Sequence, residues 1–177
     1  LGAVAGARGG LWDGFVERLV EIVGVFPAVL AVALVRALEH RPSILSLVIV
    51  MTAVKWAEVA RLVRVLVLRS LAEDWALAAR ATGASPMRIA FVHVSPHLWA
   101  PIAVSAVFAV ASVVLTETSL SFLDLGVPST FASWGEMLGE VRWGAGARIL
   151  LPPISALGLT LGGLYLIADA IRKTFEV

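Results

Sequence analysis

Four stretches of this 177-residue chain, near 19–38, 44–63, 99–123 and 149–171, stay mainly apolar over the length of a membrane span. A spanning helix needs about 20 such residues, so each stretch is a candidate span. Composition points the same way: 59% of residues are hydrophobic and only 15% charged. A soluble domain holds about half and a quarter. The excess apolar surface is too large to bury in one small core, so bilayer is the expected solvent. The expected fold class is all-α, a polytopic membrane helical bundle.

Few charges interrupt the spans: Glu21, Arg36, Lys55, Glu58, Arg61, Glu117 and Asp169. Each is costly in hydrocarbon and is expected to face other helices, water or the membrane boundary. Lys55 and Glu58 are three apart and can pair on one helix. Glu21 and Pro27 mark an expected kink with a freed carbonyl. Residues 1–7 (LGAVAGA) are too short to span and are broken by Arg8-Gly9-Gly10, so they read as the tail of a helix. With no initiator Met and no basic n-region, the start reads as lying inside a longer membrane protein.

Lys and Arg set the expected orientation. One side holds Arg8, Arg18, Arg69, Arg80, Arg88, Arg172 and Lys173, with Arg61 and Arg64 at its boundary. The other holds Arg36, Arg41, Arg142 and Arg148. Nine against four places the first set, and the C-terminus, in the cytoplasm. The outer side then carries a turn at Glu39–Ser43 and a longer loop over 124–147, whose Trp134 and Trp143 suit an interface belt.

The cytoplasmic stretch 69–98 carries the strongest local signals. Ser70 and Glu73 have capping-box spacing, which predicts a helix from Ser70. Leu71, Trp75, Ala78, Ala79 and Thr82 recur at helical spacing, and the two alanines leave part of that face bare for close approach. Gly83 suits a left-handed helix end. Ser85-Pro86 predicts a second start, and Ser95-Pro96 a third that launches the next span. These patterns fit either a rigid docking hairpin or an amphipathic hairpin lying on lipid.

Other chemistries find little support. Net charge is +1, which argues against a nucleic-acid partner, since such partners demand a basic stripe. The chain has no Cys, no HExxH, no GxSxG and no P-loop, so an enzymatic role and ATP hydrolysis by this chain are not expected. His93 and His97 have metal-ligand spacing, but Pro96 between them is expected to start a new helix and spoil the geometry. No metal or cofactor is expected. Asp13, Glu17 and Glu21 share a helix start, where the dipole favours acids. Glu117 reads either as a polar contact in a transport pathway or as a hydrogen bond that fixes helix packing. A gradient-driven transporter, a channel or a passive scaffold would also explain the spans.

The stretch 69–98 resembles the EAA loop of ATP-binding-cassette importer permeases. Ala78-Ala79, Arg80-Ala81-Thr82 and Gly83 fit its spacing, and Ile89, His93 and Pro96 sit where the dipeptide, oligopeptide and nickel permease family places them. Leu77 replaces the Glu of the strict motif and Ser95 the Leu before Pro. Further similarity covers essentially the whole chain. It includes Gly2-Ala3-Val4-Ala5-Gly6 with Gly9-Gly10-Leu11-Trp12-Asp13, Phe26-Pro27, and Trp56 with Ala60-Arg61-Leu62-Val63-Arg64. It continues through Glu117-Thr118-Ser119-Leu120-Ser121-Phe122-Leu123, Ser133-Trp134-Gly135 and Asp169; Asp124 stands where the pattern has Gly.

The resemblance implies a type I importer transmembrane domain over 1–177, lacking the family's first helix and most of its second. It implies a cytoplasmic coupling loop at 69–98, with Glu73, Asp74, Trp75, Ala78, Ala79, Arg80, Gly83, Ala84 and Ser85 at the ATPase. The loop 124–147 would help receive a binding protein, and Glu117 and Ser121 would stand at a gate or pathway. Implied partners are ATP-binding-cassette ATPases, a second and distinct permease chain, an extracytoplasmic substrate-binding protein and membrane lipid. The implied location is the bacterial inner membrane, and the implied cargo is peptide or nickel.

Overall fold

The computed structural model describes residues 1–39, 43–128, 130–140 and 146–175. Arg41, Arg142 and Trp143, used above for orientation and the interface belt, lie outside the described residues. Among the described residues every regular element is helical: α1 (Gly2–Arg8), α2 (Gly10–Val25), α3 (Ala28–Leu38), α4 (Ile44–Leu71) and α5 (Asp74–Ala81). There follow α6 (Pro86–Phe122), α7 (Trp134–Gly139) and α8 (Leu151–Phe175).

Two helices, Pro86–Phe122 and Arg148–Phe175, are long and apolar enough to cross a membrane. The pair α2 and α3 makes a third candidate, broken at Phe26-Pro27. The span expected over 19–38 is therefore interrupted. Pro27 has no N–H to give the preceding turn, and its ψ of 128° turns the chain out of the helix. The kink expected there becomes a full break. Helix α4 is about 42 Å long at 1.5 Å per residue, enough to cross. Lys55, Glu58, Arg61 and Arg64 crowd it, however, so it is not apolar enough by composition.

Two compact units organise these elements. The first contains 1–25, 55–106 and the end of α8 from Ile171. Its core joins Ala7, Val67, Leu71, Ala76, Ile89, Ala90, Val94 and Leu98. A second cluster joins Ala5, Val16, Val20, Ala57 and Ala60. The small residues of α1 permit this packing: a Cβ on Gly2 would strike the Ala60 carbonyl, and one on Gly6 would sit 3.1 Å from the Arg64 carbonyl oxygen. Close backbone approach through small residues four apart is the usual device where helices gain nothing from excluding lipid. The other unit contains 26–54 and 107–170, and its core joins Val32, Leu47, Met51 and Leu120.

Candidate functional site

The stretch 69–98 lies within the first unit. Helix α4 continues through Ser70, so the start expected there is not used. Ser70 spends its carbonyl on the Glu73 amide in a turn, and α5 begins at Asp74 with Glu73 as N-cap. The Glu73 carboxylate accepts the Trp75 indole N–H instead of capping the backbone. The Gly83 end is as expected. Its φ of 95° lies in the left-handed region. The Ala84 amide donates to the Ala79 carbonyl at 3.0 Å and the Gly83 amide to Arg80 at 2.9 Å, the two bonds of a Schellman end.

One face of α5 is fixed and the other is open. Ala76 is fully buried against Val67, Leu71 and Ile89, and Ala79 packs half-buried on the same core. Ala79 therefore turns inward instead of standing beside Ala78 on the bare face. The open face presents Trp75 at 42% and Leu77 at 50% exposure, with Asp74, Ala78 and Arg80. Beyond the turn, Ser85 accepts the Arg88 amide at 3.2 Å with Pro86 at the first position, as expected.

Ser95-Pro96 does not start a new helix. Helix α6 runs on through a π-helical stretch, Ile89–Val94, in which the Ser95 amide donates to Ala90. In that register the Phe91 carbonyl would need an N–H from Pro96, which has none. The Ser95 hydroxyl donates to it at 2.7 Å instead. One unbroken helix thus runs from the Ser85-Pro86 turn into the span, and the stated reason against His93 and His97 as a metal pair falls away. His93 packs edge-on against Trp75. His97 lines a separate cavity of about 430 Å³ with Pro101, Arg172 and Phe175. Among the described residues no three His, Asp or Glu side chains gather as a metal site.

Arg64 answers the acids at the start of α2. Its Nε and Nη2 donate to Asp13 at 2.6 and 2.7 Å, and both Nη atoms reach Glu17 at 3.2 Å. Lys55 and Glu58 pair at 2.7 Å, as their spacing suggests.

The second unit holds the other candidate residues. Glu117 Oε1 accepts hydroxyls from Ser121 at 2.6 Å and Ser133 at 2.8 Å. Ser133 also caps α7 by accepting the Gly135 amide at 3.1 Å. Arg36, an in-span charge expected to face other helices, water or the boundary, is buried, donates to the Gly126 carbonyl at 2.7 Å and lies 3.5 Å from Glu39. A lone Arg in an apolar helix was the signal that such a partner existed.

Helices fit to cross a bilayer more than once, with no strand among the described residues, define an all-α multi-pass membrane protein. The sequence pattern of the family described as "Binding-protein-dependent transport system inner membrane component" matches residues 1–176, and the chain belongs to that family. It is 31% identical to the oligopeptide transport system permease protein OppC of Bacillus subtilis, over 99% of this chain and 58% of that protein. It is 33% identical to the dipeptide transport system permease protein DppC of Alkalihalophilus pseudofirmus, over 99% and 58%. A putative peptide transport system permease protein of Brucella suis is also 33% identical, over 99% and 61%. The chain thus spans about three-fifths of the length of these relatives.

Proposed function

We propose that this chain is membrane-spanning permease machinery of an ATP-binding-cassette importer that moves peptides into a bacterial cell. It is a transport component rather than an enzyme, and ATP hydrolysis belongs to separate ATPase chains. A second, distinct permease chain completes the pathway, and an extracytoplasmic binding protein delivers cargo toward the 124–147 loop. The Lys and Arg excess puts 69–98 and the C-terminus in the cytoplasm.

One observation carries the reading most directly. Helix α5 is anchored by Ala76 and Ala79, closed by the Gly83 turn, and open on Trp75, Leu77, Ala78 and Arg80. A short, stiff helix with one face fixed in its own unit is what a lever needs if it is to pass a partner's motion on without slack. In this family member the ATPase meets an apolar Leu77 in place of a carboxylate, so contact there is by packing. Glu73, Asp74, Ala84 and Ser85 frame the helix ends.

The test is co-purification of the full-length permease with its partner permease and ATPase, with ATP-driven peptide uptake measured in vesicles. Ala78→Asp puts a charge on the open face without touching the core. It should cut retained ATPase and uptake at least tenfold, on the order of one desolvated charge at an interface. Wild-type ATPase retention and uptake in Ala78→Asp would sink the coupling role. Peptide flux by the wild type that follows an ion gradient without ATP would favour a gradient-driven carrier instead.

A further inference from the structure

We propose that Glu117, with Phe131 and Trp134, forms a binding site for the α-ammonium group of a peptide. This rests on the peptide-import reading and assigns that pathway a specificity residue. The site is a groove of about 360 Å³ within the second unit, lined by Glu117, Phe131, Ser133, Trp134, Ile44 and Val127. The proposed orientation puts it on the extracytoplasmic side.

Three features select the occupant. The first is charge. Glu117 is half-buried, and among the described residues it has no cation in ion-pair contact. Arg36, the buried cation of the same unit, donates through Nη2 to the Gly126 carbonyl and lies 3.5 Å from Glu39, and it makes no ion pair with Glu117. Two hydroxyls on Oε1 orient the carboxylate but do not neutralise it. A carboxylate partly shielded from water and without a counter-charge favours an incoming cation.

The second is the wall. Phe131 is 51% exposed and Trp134 lines the groove beside it. Aromatic faces favour an organic cation. The third is what the groove lacks. A hard metal ion takes about six oxygen ligands. Among the described residues, Glu117 and Ser133 are the side-chain oxygen bearers of this lining, so Glu117 supplies a single carboxylate where such an ion favours several oxygen ligands. An ammonium group with an apolar body fits both the carboxylate and the wall. Every unmodified peptide carries one α-ammonium whatever its side chains, so such a site would not restrict sequence.

The experiment uses the full-length permease with its partner permease, ATPases and binding protein in proteoliposomes. ATP-driven uptake of trialanine and N-acetyl-trialanine is measured for wild type and Glu117→Gln. Glutamine keeps an acceptor for Ser121 and Ser133 but removes the charge. The same binding protein serves both variants, so its own preference cancels when their free-to-acetylated ratios are compared. The ratio should fall about tenfold in Glu117→Gln, the weight of one charge-assisted hydrogen bond, and Glu117→Asp should recover part of it. An unchanged ratio, or equal loss of both peptides, overturns the site and leaves Glu117 a packing residue. Should Glu117→Gln fail to assemble, Phe131→Ala decides: a ratio lowered about threefold supports the site and an unchanged ratio overturns it. If the wild type takes up neither peptide, the import reading falls and the site falls with it.

Discussion

Gly135→Ala tests whether α7 is held against α6 as tightly as the structure indicates. A Cβ at Gly135 would overlap the Thr118 carbonyl oxygen, and would lie 2.7 Å from Ser121 Cβ and 2.9 Å from the Phe122 amide nitrogen. Carbon contacts settle at about 3.5–4.0 Å. Two of the three obstacles are backbone atoms of a long helix, so α7 must retreat by roughly 1 Å. Ser133 sits two residues earlier and moves with it. Its 2.8 Å bond to Glu117 would then stretch past the range of a hydrogen bond. Overpacking costs about 1–3 kcal/mol, and a hydrogen bond to a charged group contributes about 1.5–3 kcal/mol. The losses share one displacement, so we expect about 3–4 kcal/mol in all. Thermal unfolding of the purified full-length protein in detergent reads this as a drop on the order of 10 °C. Ser133→Ala alone, which removes the hydroxyl and leaves the packing, should lose about half as much. Adding it to Gly135→Ala should cost little more. If Gly135→Ala melts within about 1 °C of wild type, the close approach is wrong.

Gly2→Ala should loosen α1 from α4, because the added carbon meets the Ala60 backbone; a loss of about 2 kcal/mol is expected in the same melt. Gly83→Ala meets no atom within 4 Å but must hold a φ of 95°, so strain alone should cost about 1 kcal/mol and leave the fold intact. Arg64→Met leaves Asp13 and Glu17 facing each other without their cation, at a cost of about 2–3 kcal/mol, and Asp13→Asn in that background should recover part of it.

Backbone punctuation was the most legible part of the chain. Gly83 and Ser85-Pro86 act through their own φ angles and hydrogen bonds, so their consequences are local and they appear where the sequence puts them. Ser70-Glu73 has the same kind of pattern and fails. A capping box needs a chain that has already left the preceding helix, and apolar packing of Val67 and Leu71 keeps α4 going past Ser70. Ser95-Pro96 fails for a related reason: a π-helical turn and one serine hydroxyl absorb the missing proline N–H without ending the helix. Ala78 and Ala79 look alike in sequence, and only the core beneath α5 distinguishes the one that faces out.

The polar pairs were the least legible, because sequence spacing does not encode them. Lys55–Glu58 and Arg18–Glu21 lie three apart on one helix and can be read directly. Arg64 finds Asp13 from 51 residues away, and Arg36 finds Gly126 from 90. Yet a rule connects them: in an apolar chain, a charge that draws on one partner is answered by another charge or by a backbone carbonyl. Glu117 departs from that rule among the described residues, with two hydroxyls and no cation. The half-buried Glu117 carboxylate fastens α7 through Ser133, yet among the described residues it has no counter-charge, and that leaves it able to draw a cation into the groove. The charge is better explained by something that visits the groove than by anything that lives there.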